Sequence, residues 1–258
     1  MKFSQAAIGL AVIVTSVPSR TPSTAIPLVR AAGGEVHFLN GEQLPMEQLL
    51  IDELKEEYEK LSADGFRVLA VATRDVPPQA AYARADERDL VLQGYVAFLD
   101  PPKDSAAAAV AALARGGVRV KVLTGDNELV SRTVCRQVGI DVEETLLGGD
   151  VERMDDTELA AAADRATLMA RLTPAHKQRI VGVLRRSGHV VGFLGDGIND
   201  SPALRAADVG ISVESAVDIA RESADCILLE KDLLVLEAGV REGRKVFVNI
   251  LKYVRMGA

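Results

Sequence analysis

Residues 190–204 constrain the fold more than any other stretch. The apolar run Val190-Val191-Gly192-Phe193-Leu194 passes into Gly195-Asp196-Gly197-Ile198-Asn199-Asp200, and then into Ser201-Pro202-Ala203-Leu204, which reads as the start of a helix. Asp196 is therefore expected at the carboxyl end of a buried strand, where open α/β sheets place their ligands. Asp196 and Asp200, with Asn199 between them, form a hard oxygen-donor set suited to Mg²⁺, which prefers one or two carboxylates with waters and phosphate oxygens. The alternative is a plain Asx-type loop, since Asp-Gly and Asn-Asp are ordinary turn formers. The complete string behind an apolar strand favours the metal site. The glycine spacing rules out the dinucleotide fingerprint.

That strand–turn–helix unit sits in a chain whose second half alternates the same way. From residue 104 the reading is helix 104–115, strand 118–123, helix 127–138, helix 154–163, strand 168–172, helix 174–186, strand 189–194, strand 209–212, helix 215–223 and strand 226–229. Such alternation implies an α/β fold with a doubly wound, mostly parallel, Rossmann-like sheet. The absence of Trp and an aromatic share of 4% suit alanine-rich helices on parallel strands. A helix-like run from Lys231 continues to Met256. Upstream, a strand at 35–38, a turn at Asn40-Gly41, a helix at 46–61 and strands at 66–72 and 95–99 are expected, with a polar loop at 73–89. Pro101-Pro102 cannot continue a central strand and marks a boundary or hinge. Residues 1–33 match no sustained period and are expected to be disordered or atypical. Their apolar run at 6–14 is too short to span a bilayer and only superficially resembles a leader peptide.

A net charge of −7, with no basic block interleaved with aromatics, argues against a nucleic-acid surface, and no nucleic-acid partner is expected. Cys135 and Cys226 have no C-x-x-C partner, which leaves zinc and redox-pair chemistry unsupported.

Two further strand ends carry chemistry. Strand 118–123 runs into Thr124-Gly125-Asp126-Asn127, where a hydroxyl, a glycine amide and a helix start can cradle an oxyanion; a simple N-cap is the alternative. Lys177, in the first turn of the helix after Leu172-Thr173-Pro174, can neutralise a phosphoryl group, although a solvated lysine is the commoner explanation for any single residue. His176 is read as an exposed helix-start residue without a chemical role. Hydrogen bonds, a fixed cation and Mg²⁺ are together the requirements of phosphoryl transfer.

The Thr-Gly-Asp-Asn turn, the lysine of Thr-Pro-Ala-His-Lys, and Gly-Asp-Gly-Ile-Asn-Asp-Ser-Pro-Ala-Leu resemble the second, third and fourth motifs of the haloacid-dehalogenase superfamily in the form found in P-type ATPases. The likeness runs from about Leu61 onward. Leu146-Leu147-Gly148, Met154-Asp155-Asp156, Ser215-Ala216-Val217-Asp218-Ile219-Ala220 and Ile227-Leu228-Leu229-Glu230-Lys231 make it most similar to the bacterial magnesium-transporting branch. The resemblance implies a Mg²⁺ site at Asp196, Asn199 and Asp200, with phosphoryl oxygens held by Thr124 and Gly125. It gives Asp126 the shaping of that turn, Lys177 the stabilisation of a phosphorylated carboxylate, and Arg67 a contact with ATP phosphates; a surface arginine at a strand edge is the competing reading for Arg67. It also implies a division into residues 34–99, the carboxyl-side part of an α+β nucleotide-binding domain; 100–230, a haloacid-dehalogenase-like phosphorylation domain; and 231–258, a stalk-like helix.

The departures are equally specific. The family's nucleophile lies in Asp-Lys-Thr-Gly-Thr at the end of the first strand of the phosphorylation domain, and no such string occurs in this sequence. Asp100 follows an apolar strand, but Pro101-Pro102 fits the hinge instead. Ser201 stands where the family usually has alanine. By resemblance the chain is the carboxyl-side half of the cytoplasmic headpiece of an ATP-driven cation pump. ATP and Mg²⁺ are its expected ligands, and the missing half of the pump is a possible partner. The location implied is the cytoplasmic face of the cell membrane in the parent protein. Two other readings stand beside it: a freestanding phosphatase, for which the sequence lacks an early Asp-x-Asp, and a non-catalytic module that complements a partner chain. A sheet without its central strand is expected to leave unpaired edges, and with them marginal stability or association.

Overall fold

The computed structural model describes residues 10–13, 36–39, 42–45, 47–75, 91–99, 102–103, 105–230 and 232–257. The chain divides into two compact units, Met1–Asp100 and Pro101–Ala258.

In the first unit, strands β1 (Leu10–Ile13), β2 (Val36–Leu39), β3 (Glu42–Pro45), β4 (Phe66–Asp75) and β5 (Val91–Leu99) form one sheet in the order β1-β4-β5-β2-β3. All neighbours are antiparallel except β2 and β5. The expected Asn40-Gly41 turn lies outside the described residues. Its flanks pair Leu39 with Glu42, the register that a two-residue connection requires. Helix α1 (Gln48–Ala63) covers the sheet, burying Ile51 against Ala72 and Leu92. The Tyr95 hydroxyl donates to the Leu54 carbonyl at 3.2 Å. Both long strands outrun their sequence-based bounds, because β4 and β5 extend each other's ladder from Phe66↔Leu99 to Thr73↔Val91. Leu10–Ile13, inside the stretch expected to be disordered, pairs with β4. The rest of that stretch and Pro77-Pro78 lie outside the described residues.

The second unit is α/β and doubly wound, with parallel strands alternating with helices. Its elements are α2 (Ala106–Arg115), β6 (Val122–Leu123), α3 (Glu128–Gln137), β7 (Thr145–Leu147), α4 (Gly148–Arg153), α5 (Asp156–Arg165), β8 (Leu168–Ala170) and α6 (Pro174–Arg186). They continue with β9 (Gly192–Leu194), a 3-10 turn (Ile198–Asp200), α7 (Ser201–Ala206), β10 (Val209–Val213), α8 (Asp218–Glu222), β11 (Cys226–Leu228) and α9 (Leu234–Gly257). The strands fall into two parallel ribbons, β6-β8-β7 and β11-β10-β9.

The strand expected over 118–123 shortens to two residues. β8 starts only at Leu168, and among the described residues no strand lies beside residues 118–121 for them to pair with. Lys121 instead turns its ammonium onto the carbonyls of Asp164 and Ala166, at 2.9 and 2.7 Å, closing the end of α5. Burial there pushes its pKa down. The three-residue β7 and the short α4 were not anticipated.

Two apolar clusters hold this unit together. One gathers Leu146, Val151, Leu159, Met169, Ile180 and Leu184; the other gathers Val181, Phe193, Ala203, Leu204 and Ala220. Helix α6 contributes to both because Ile180 and Val181 project about 100° apart around its axis, Ile180 to the first cluster and Val181 to the second. Leu123 of β6 and Val191, just before β9, also pack against both clusters, so the two ribbons share a core where their backbones do not pair.

Candidate functional site

β6 delivers its chain into the turn Thr124-Gly125-Asp126-Asn127. The Thr124 hydroxyl accepts from the Asp126 amide at 3.0 Å and donates to the Asp126 carboxylate at 3.2 Å, an ST-type turn that closes on itself. Asn127 caps α3, its side-chain oxygen accepting from the Val130 amide at 2.9 Å. The same turn is stitched to the segment after β8. The Arg171 and Leu172 amides donate to the carbonyls of Asp126 and Thr124, at 2.9 and 3.0 Å. Arg171 adopts φ 56°, a conformation uncommon outside glycine. Against its carbonyl packs Gly148, where a Cβ would come within 2.2 Å of the oxygen. Neither residue was singled out from the sequence as a contact, although Leu146-Leu147-Gly148 belonged to the family likeness. The close approach is the physical reason for a glycine there.

Two residues after Leu172, Pro174 opens α6. Thr173 and His176 cap the helix reciprocally, the hydroxyl accepting from the His176 amide at 3.2 Å and the imidazole Nδ1 from the Thr173 amide at 3.3 Å. The His176 side chain is 12% exposed and its Nε2 lies 3.2 Å from Glu152, so the expected exposed histidine is corrected to a well-packed cap. One residue on, Lys177 places its ammonium 2.7 Å from Asp200 Oδ1, with both side chains only 13% exposed. A charge-assisted contact this sheltered is strong and geometrically exacting. Asp200 Oδ2 accepts from the Gly197 amide at 3.2 Å. Gly195 is required for this fold-back, since a Cβ there would stand 2.5 Å from Asp200 Cβ. The Ser212 hydroxyl and the Val217 amide donate to the Gly195 and Asp196 carbonyls, at 2.8 and 3.2 Å, holding the loop onto β10 and the start of α8. Ser201 is buried and donates to the Ile219 carbonyl at 3.3 Å, so the hydroxyl fits without displacement.

Lys177 and Asp200 are thus brought into direct contact. The turn of Thr124, Gly125 and Asp126 is hydrogen-bonded to the segment that leads into Lys177. Asp196 and Asn199 stand exposed on the same loop as Asp200, and no described residue bonds the Asp196 carboxylate. No cluster of three or more His, Cys, Asp or Glu exists among the described residues, so the donor set is two carboxylates and an amide. That set fits Mg²⁺, a hard cation that keeps several waters and fills its sphere from phosphate oxygens, and does not fit a closed structural metal site. Arg67 lies in the other unit, exposed on β4 opposite Phe98. Cys135 is buried, which raises its thiol pKa, and Cys226 is exposed.

Residues 24–208 match the model of the haloacid dehalogenase-like hydrolases. The chain is 58% identical to the P-type magnesium-transporting ATPase 1 of Escherichia coli K12 over 220 residues, 85% of this chain and 24% of that protein. It is 56% identical to the same-named protein of Salmonella typhimurium 14028s over an equal span. A calcium-transporting ATPase of Listeria monocytogenes is 34% identical over 84% of this chain. The chain therefore spans about a quarter of the length of the curated relatives it matches. These relatives bear out the resemblance to magnesium-type P-type ATPases read from the motifs.

Proposed function

Because the chain belongs to the haloacid dehalogenase-like hydrolases, we propose that its second unit is a phosphoryl-transfer module. More specifically, we infer that it is part of the cytoplasmic headpiece of an ATP-driven, magnesium-transporting P-type pump. The sheltered Lys177–Asp200 contact carries this reading, because it joins a fixed cation to the Asp196 loop at adjoining strand ends. Asp196, Asn199 and Asp200 would hold Mg²⁺, which neutralises charge on a phosphoryl group when bound. The chain's own residues supply the rest. Thr124 and Gly125 direct a hydroxyl and an amide at phosphoryl oxygens, Asp126 keeps that hydroxyl in place, and Lys177 offsets the negative charge that spreads over the transferring group. Arg67 is assigned to the ATP phosphates on family resemblance alone. In the parent the module works at the cytoplasmic face of the membrane. Among the described residues no helix is long and apolar enough to cross one.

Covalent catalysis needs a carboxylate nucleophile, and Asp-Lys-Thr-Gly-Thr does not occur in this sequence. The chain by itself is therefore expected to bind Mg²⁺ and phosphate or nucleotide weakly and not to turn over. Incubation with γ-labelled Mg-ATP should leave no acid-stable, hydroxylamine-sensitive label; appreciable incorporation refutes this part of the proposal. A second reading, complementation by a partner chain, is favoured by one observation. Among the described residues β6 and β9 each pair on one side and share a core without a ladder between them, the arrangement that an inserted parallel strand would complete. Co-expression with a segment carrying the nucleophile strand should then yield a complex that becomes labelled. Failure to associate removes this second reading.

A further inference from the structure

The dipeptide Asp-Gly occurs twice in the chain, at Asp64-Gly65 and at Asp196-Gly197. Glycine has no side chain to shield its backbone nitrogen, so in such a pair that nitrogen can attack the carboxyl of the preceding aspartate. At Asp196 the group to be attacked is available, since the side chain is exposed and no described residue bonds its carboxylate. Attack also requires the peptide group between the two residues to rotate until its nitrogen faces Asp196 Cγ.

That peptide group is gripped at both ends. The Asp196 carbonyl accepts from the Val217 amide at 3.2 Å, and the Gly197 N–H donates to Asp200 Oδ2, also at 3.2 Å. Asp200 is itself fixed through its other oxygen by Lys177, at 2.7 Å in a sheltered contact. The negative charge of Asp200 further opposes loss of the amide proton that frees the nitrogen to attack. The other pair is held differently: Asp64 is exposed and the Gly65 amide donates to an uncharged acceptor, the Ser62 carbonyl, at 3.1 Å.

We propose that Asp196-Gly197 is a latent isomerisation site that Asp200 holds closed. When the hold is released, the Gly197 nitrogen bonds to Asp196 Cγ, the Cγ–OH bond of the carboxyl in its acid form breaks, and the hydroxyl leaves with the amide proton as water. The five-membered succinimide then takes up one water. Opening at the Asp196 α-carbonyl leaves isoaspartate, in which the backbone runs through Cβ and Cγ. The loop is one backbone carbon longer and its carboxylate is displaced. Loss of a metal ligand by this route rests on the Mg²⁺ site proposed above; the isomerisation does not, and is measured without metal.

The full chain is aged in buffer, and isoaspartate at each position is scored by peptide retention and by resistance to an aspartate-specific protease. In the native chain residue 196 should convert several-fold more slowly than residue 64, whereas in urea the two should convert at similar rates. Asp200→Ala should raise conversion at 196 several-fold and leave residue 64, in the other unit, unchanged. If that variant does not fold, hydrogen exchange of the wild type decides, since the Gly197 amide should be protected by its bond to Asp200. The proposal is overturned if native residue 196 converts as fast as in urea, if folded Asp200→Ala converts no faster than wild type, or if the Gly197 amide exchanges at the rate of an unfolded chain.

Discussion

The two parallel ribbons of the second unit have the same strand count and direction yet differ in cover. In β6-β8-β7 all three residues of β8 are buried: Met169 packs among α4, α5 and α6, and Leu168 and Ala170 face the other way, where α3 packs. In β11-β10-β9 the outer strand β11 has two of its three residues exposed, and Leu194 of β9 is 40% exposed. A parallel strand is stable where helices cover both of its faces. The first ribbon meets that condition at its centre, and the second meets it only on the side of α7 and α8. The proposed phosphate site lies where the ribbons adjoin, with Thr124 and Lys177 on the well-covered half and Asp196 and Asp200 on the thinner one.

The sharpest way to break the comparison is truncation in each ribbon. Met169→Ala should cost about 2–5 kcal/mol in denaturant unfolding, because a fully enclosed side chain leaves a cavity. Ile227→Ala, at 38% exposure on β11, should cost less than about 1 kcal/mol. Equal losses would remove the distinction. Next in size, Lys177→Met should destabilise the second unit by about 3 kcal/mol, since it strands the sheltered Asp200 carboxylate without its cation. Lys177→Arg should recover only part, because a planar fork does not replace a point charge at 2.7 Å. A silent Lys177→Met would mean that the contact does not join the two ribbons.

Gly148→Ala should cost about 1–3 kcal/mol by thermal unfolding, with the Arg171 carbonyl forced away from the new methyl. The smallest effect sharpens the contrast without perturbing the fold. At pH 8 the exposed Cys226 should alkylate rapidly, whereas Cys135, buried in α3 with its thiol pKa raised by that burial, should react only after unfolding. Mass spectrometry after brief iodoacetamide treatment distinguishes one modified thiol from two.

Much of this architecture was legible in the sequence, and the reasons are local. Helix α6 matched its expected bounds because Thr173 and Pro174 mark its start and Gly188 follows its end. The Gly195–Asp200 loop was readable because glycine and carboxylate spacing is itself the geometry. What the sequence concealed depended on partners. Residues 118–121 alternate valine with a cation, as a half-buried strand can, yet join no ladder among the described residues, and no local pattern reveals a missing neighbour. The division into two ribbons is a tertiary outcome of the same kind. His176 looked like a surface residue because its partners, Glu152 and the Thr173 amide, come from the end of α4 and from the turn before α6.

The central claim is that the Thr124 turn, Lys177 and the Asp196 loop form one Mg²⁺-dependent phosphate site. It is tested most directly by titrating the isotope-labelled chain with Mg²⁺ and inorganic phosphate while following its amide resonances. The account predicts shifts concentrated at residues 124–126 and 195–200, abolished by Asp196→Ala in a chain that remains folded. Shifts that persist in Asp196→Ala, or that scatter over the acidic surface without touching those two loops, contradict it.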